Sequence, residues 1–259
     1  MNYDGLSFSI LGPAFLAGLL ILTTHVPLGQ EILKRGIIFI DLAIAQVAGL
    51  GLMFAFHFGW QGHGWEVQLI AMISAFSAAL ILSFMGKHWP HIHEALIGVT
   101  FILAATASIL LLANNPQGGE HLKELLVGQI LWVTWDQLIP IAIISTFILI
   151  LWFKFRHYFG QLGFYLLFAL AVTSSVQLVG IYLVFASLII PALGSLLQHS
   201  NKSLLLGYLI GMLGYGVGLI LSSLLDLPSG AVIVWSITVI ALLFKAFNRG
   251  LTKKQPVLK

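Results

Sequence analysis

Apolar residues run in long blocks along this chain, and polar residues gather in short breaks between them. Blocks at 8–28, 36–58, 66–86, 94–113, 136–153, 204–225 and 231–247 are each close to the ~20 residues that a helix needs to cross a hydrocarbon core. The block from 162 to 197 is too long for one ordinary crossing and short for two. A polar run, Thr173, Ser174, Ser175 and Gln177, sits in its middle, so two tightly joined helices are expected there, 162 to about 177 and 180–197. The apolar stretch 122–132 is too short to span and reads as a re-entrant or interfacial helix. Pro191, within LIIPALG, interrupts backbone hydrogen bonding and predicts a kink or break in the late helix. The expected fold is an all-α integral membrane protein. It is a polytopic helical bundle of about eight to nine spans with one short re-entrant or interfacial helix and a broken late helix, forming a single domain over 1–259.

The block 36–58 departs from its neighbours because it carries Asp41 and Gln46 inside its apolar run. At ~1.5 Å of rise per residue, Gln46 lies ~15 Å below Gly36, near the middle of a core ~30 Å thick. Lipid offers a side chain there no hydrogen bond, so it needs a partner or a wet cavity. Asp41 is about a turn and a half in and has snorkelling open to it. The five-residue offset turns the two side chains ~140° apart on a helix, so both cannot face one narrow pore. Gln46 is thus the pathway candidate, and Asp41 fits an inner gate or a helix contact. His25, near the end of the first block, joins them as a candidate polar stepping point, with Gln177 and Pro191 from the late helices.

Composition agrees with the block pattern. Of 259 residues, 59% are hydrophobic and 8% charged, and mean hydropathy is +1.01, whereas soluble domains carry roughly 25% charged residues. Cysteine is absent, which removes disulfides and thiolate metal sites. The leader MNYDGLSFSI has no basic residue, so the first block is expected to be retained with the N-terminus outside. With that orientation Lys34, Arg35, Lys87, Lys154, Arg156, Lys202, Lys245, Arg249, Lys253, Lys254 and Lys259 fall inside, along with the C-terminus, and only Lys123 falls outside. The tryptophans all lie near predicted span ends, as interfacial indoles do. No GxxxxGK[ST] phosphate loop occurs, so if ATP drives this protein another chain hydrolyses it.

Gly207, Gly211, Gly214 and Gly218 share one helix face and predict close backbone approach, either inside the bundle or at a dimer seam. Candidate metal ligands collect on the predicted outer side: His57, His63, Glu120, His121 and Glu124, imidazoles and carboxylates that suit zinc or manganese. The bland alternative is a solvated helix start, with Glu120 favoured by the N-terminal dipole. On the inner side His88, His91, His93 and Glu94 crowd together, but their spacing fits no fixed metal motif and HExxH is absent, so interfacial anchoring is the expected use for them.

Several of these segments together resemble one family, the permease subunits of zinc and manganese ABC transporters. Pro27, Leu28 and Gly29 followed by Lys34, Arg35 and IIFIDLAIAQVAGLG resemble its Pro-Leu-Gly, basic pair, aspartate and small-residue helix. HEALIGVTFILAATASILLL resembles its fourth-helix segment, and HLKELLVGQILWVTWDQL its short helix. Val179, Gly180, Leu183, Val184, Ile190, Pro191 and Ala192 resemble its late signature. The resemblance covers nearly the whole chain in order. It departs at two places. The family usually has a histidine four residues after the aspartate, where this chain has Ala45 followed by Gln46. The inner segment that docks the ATPase in relatives is shortened here to KFRHYFGQLG, leaving Arg156 and Gly160 as its counterparts.

The resemblance implies a homodimeric pore in the inner or plasma membrane, a cytoplasmic ABC ATPase subunit and an extracytoplasmic metal-binding protein. No permanent cofactor and no nucleic-acid partner is implied, and the chain itself is not an enzyme. The cargo is a divalent metal ion, with zinc placed ahead of manganese. An importer of iron chelates or cobalamin and a membrane-embedded metalloenzyme are the rival readings.

Overall fold

The computed structural model describes residues 7–58, 60, 65–112, 118–155, 160–196 and 200–252. These form helices α1 (Phe8–Arg35), α2 (Ile40–His57), α3 (Trp65–His88), α4 (His93–Leu112), α5 (Gly118–Val127), α6 (Trp135–Phe155), α7 (Gln161–Ser195), α8 (Ser200–Leu225) and α9 (Ser229–Thr252). All but α5 are long and apolar enough to cross a membrane. The helices α3, α4 and α6 are apolar on every side and leave Ile73, Phe84, Leu103, Leu110, Ile143 and Phe147 exposed, as helices facing lipid do. The helices α1, α2 and α7 supply most of the buried interior.

Helix α7 turns back on itself. A straight helix would hold Phe164 and Ser195 about 46 Å apart. Both instead meet the end of α1: Phe164 lies under the Arg35 guanidinium, 4.3 Å from ring centre to Cζ, and Ser195 Oγ accepts a 3.2 Å bond from Gln30 Nε2. The reversal occurs at Gly180, the one α7 residue with non-helical dihedrals (φ 76°, ψ 164°). That backbone region is open only to glycine. The expectation of two joined helices therefore holds, with the break at Gly180, where the second helix was expected to begin; the polar run before it is itself helical, and the helix is not broken at Pro191. The polar run stays helical because Ser174 and Ser175 donate to the carbonyls of Leu170 and Ala171, one turn back. Pro191 is buried inside the returning arm with helical geometry around it.

With α7 doubled, the described residues pass nine times between two faces, so that the start of α1 and the end of α9 lie on opposite ones. One face carries Arg35, Lys87 and Lys202 at helix ends, together with Gln161, Ser195 and Ser203, and is here termed the basic face. At the other, Phe8 packs on Trp135 with centroids 6.4 Å apart.

Helix α5 is the re-entrant element, and it begins four residues before the expected stretch. Its Leu125 packs on Gly49 at the middle of α2, too deep for a surface helix. The glycine row of α8 serves packing inside the chain: Gly207 and Gly211 face Val26 and Leu22 of α1, and Gly214 and Gly218 face Ile237 and Ile233 of α9. Six of the seven tryptophans are exposed, but Trp152 is buried against Phe164, so its use is internal.

Candidate functional site

Gly36 ends α1 in the left-handed region (φ 70°), its N–H bonded to the Ile32 carbonyl at 3.0 Å, and the chain then turns sharply into α2. On α2, Leu42 and Gln46 are one turn apart and so share a face. Opposite them stand Phe101, Ala105 and Ile109 of α4, which repeat every four residues. Leu122 and Leu126 of α5 and Tyr182 and Phe185 of α7 complete a groove of about 290 Å³. Its lining is apolar apart from Gln46 and the Tyr182 hydroxyl.

Gln46 is 4% exposed, and its Oε1 has no hydrogen-bond partner. An unmet buried acceptor costs roughly 1–3 kcal/mol, a demand that water or a cation would satisfy. Asp41 is 1% exposed with both carboxyl oxygens unpartnered, and it does not line the groove. This agrees with the ~140° offset that separates the two residues on α2. His25 is fully buried on α1; its Nδ1 shares a 3.2 Å bond with the Thr24 hydroxyl, and Nε2 has no partner.

The structure adds two groups that the sequence reading passed over. The Thr173 hydroxyl is buried without a partner, in the same polar run from which Gln177 was chosen. Gln177 itself is exposed and Pro191 is buried in packing, and neither lines the groove. Glu94 was read with the inner histidines, yet its Oε1 accepts the Phe39 N–H at 3.3 Å, at the entrance to α2, while Oε2 is buried and unpartnered.

Among the described residues no three His, Asp or Glu side chains come together so as to hold a metal ion. On the side opposite the basic face, His57 is exposed with its ring edge on Phe58, Glu120 is exposed, and Glu124 Oε1 accepts from Gln129 Nε2 at 2.8 Å. His63 and the side chain of His121 lie outside the described residues. At the basic face, His93 Nε2 donates to the Leu82 carbonyl at 3.0 Å, and His88 Nδ1 donates to the Phe84 carbonyl at 3.0 Å. These two rings are tied to separate turns of backbone. Gly160 is exposed at the start of α7, and Arg156 lies outside the described residues.

The sequence matches the ABC 3 transport family over residues 7–164 and 156–248. The chain belongs to the ABC 3 transport family. Among its relatives, an uncharacterised membrane protein of Synechocystis is 28% identical over 271 residues, covering 95% of this chain and 93% of that one. The manganese transport system membrane protein MntC of Listeria monocytogenes is 27% identical over 288 residues, covering 98% of each. The fold is shared with PsaBC from Streptococcus pneumoniae, solved in complex with a Fab: TM-score 0.75 at 21% identity, over 96% of this chain and 98% of that one. For an ABC 3 chain, the groove on α2 is the feature that sets the bundle apart from a simple helical scaffold. It places an unmet polar group halfway along α2 beside an open, largely apolar groove wall.

Proposed function

We propose that this chain is the membrane permease of an ABC importer for divalent metal ions. The observation that carries the proposal is the Gln46 amide oxygen, buried and unpartnered at mid-depth in the groove of an ABC 3 chain. An ion descending along α2 would exchange part of its hydration for that oxygen. Family membership and the missing phosphate loop support a reading in which a separate subunit hydrolyses ATP. Positive-inside asymmetry puts the basic face in the cytoplasm and the N-terminus outside. The ATPase then docks at the basic face, and an extracytoplasmic metal-binding protein delivers the ion to the other.

The groove is open along one side, where Tyr182 is 54% exposed. A second copy facing it would close the channel, which makes a homodimer the working unit.

The unpartnered group on α2 that lines the groove is the Gln46 amide oxygen, and imidazole is missing where relatives were expected to carry it. Oxygen ligands suit manganese, and imidazole suits zinc. A relative named for manganese transport adds weight to the same side. We therefore place manganese ahead of zinc, reversing the order taken from the sequence. The outer His57, Glu120 and Glu124 remain proposed as the reception area for the ion. Vesicles holding the permease with its ATPase should take up manganese only with ATP, and tenfold excess zinc should compete poorly. No ATP-driven uptake of either ion would overturn the proposal.

A further inference from the structure

At the basic face the chain is clamped at one unusual point. Arg35, the last residue of α1, sets its guanidinium over the Phe164 ring at 4.3 Å and holds it there with a 3.0 Å ion pair to Glu31, one turn back. Phe164 is 1% exposed and is itself boxed in. Phe168 stacks on it with centroids 5.7 Å apart, and Trp152, near the end of α6, tilts against it at 5.9 Å. Arg35 therefore grips the place where α6 ends and α7 begins.

The same arginine is followed directly by the left-handed Gly36, and three residues later Phe39 opens α2. Phe39 stacks on Phe185 (6.4 Å, 7°), a groove residue on the returning arm of α7, and gives its N–H to Glu94 of α4. The turn from α1 into α2 is thus fastened to both arms of α7 and to α4. A helix transmits a push along its axis, so movement of this turn shifts Gln46 against the rest of the groove.

We propose that Arg35 is a positioning residue for energy coupling: its stack on Phe164 makes the basic ends of α6 and α7 move together with the turn that carries α2 and Gln46. Arginine suits the task because its plane stacks on a ring while its edge keeps the Glu31 pair. The inference rests on the importer reading above.

The test uses the full permease–ATPase complex in vesicles and reads manganese taken up per ATP hydrolysed. That ratio separates coupling from folding, since a merely structural role lowers the yield of complex without changing it. R35Q and F164L should each lower the ratio about two- to fivefold, the bias that a part-exposed cation–π contact sets on a two-state equilibrium. The double variant should fall no further than the worse single, because both remove one contact. R35K, which keeps the charge without the plane, should lie between. Lys34→Gln, which alters the exposed neighbouring cation, should leave the ratio unchanged. An unchanged ratio in R35Q, or losses that multiply in the double variant, would overturn the inference and leave the importer reading standing. If R35Q fails to assemble, R35K and F164L carry the same comparison. Absence of ATP-driven uptake by the unaltered complex would remove the importer reading, and this inference with it.

Discussion

The two ends of the bundle are fastened by different means. At the basic face, most of the fastening is by side chains: Arg35 on Glu31 and Phe164, Gln30 Nε2 to Ser195 and Ser203 at 3.2 and 2.8 Å, and Glu94 to the Phe39 N–H, beside one direct backbone approach, Gly29 on the Leu188 carbonyl. At the opposite end, backbones touch directly. A Cβ on Gly128 would overlap the Val179 carbonyl group, one on Gly180 would overlap the Gly128 amide, and one on Gly230 would overlap the Val127 carbonyl. Polar clamps can open and re-form at modest cost, whereas a glycine crossing has no second arrangement at the same separation. The contrast points to a more rigid pivot in the half opposite the basic face, where the end of α5, the break of α7 and the start of α9 meet. The adjustable joints lie at the basic face.

Three substitutions break or sharpen this contrast. The largest effect is expected from Gly180→Ala, which forces a φ of 76° on an alanine and drives its methyl into the Gly128 backbone. The expected loss is about 3 kcal/mol or more, enough to prevent recovery of folded protein from membranes. Normal yield and thermal stability would show that the crossing is adjustable after all. Gln30→Ala comes next. It removes two hydrogen bonds at the basic face and leaves Ser195 and Ser203 still bonded to backbone carbonyls. A loss of about 1–2 kcal/mol is expected in detergent unfolding, with the fold kept. Gly36→Ala should cost least. Gly36 is also left-handed, but nothing lies within 4 Å of the added methyl, so only the backbone term of about 1 kcal/mol applies. If Gly36→Ala proved as damaging as Gly180→Ala, the distinction between the two ends would fail.

The sequence displayed the bundle clearly because lipid imposes length and hydropathy on every crossing, and the spans fall near their predicted places. The reversal of α7 was visible only as an excess of length. Its position between about 177 and 180 was right, but the residues held responsible were not: serine and threonine look like breakers in sequence, yet Ser174 and Ser175 bond to carbonyls one turn back and leave the helix intact. The true break is a single glycine whose need for positive φ depends on a partner, Gly128, far away in the chain. Gln46 was legible from depth alone. The other groove residues were not, since Phe101, Leu122, Tyr182 and Phe185 look like ordinary apolar or interfacial positions until four helices bring them together. Glu94 was misassigned for a related reason: its neighbours in sequence are histidines, but its partner in space is the first turn of α2.

The central claim is that an ion passes Gln46 on its way through the groove. The direct measurement is ATP-driven manganese uptake into vesicles by the complex carrying Gln46→Leu, beside the unaltered complex. Leucine nearly matches the volume and removes the unpartnered oxygen, so assembly with the ATPase should be retained and stability unchanged or slightly raised. Uptake should fall to the level seen without ATP. Uptake at the unaltered rate by the assembled Gln46→Leu complex would contradict the account.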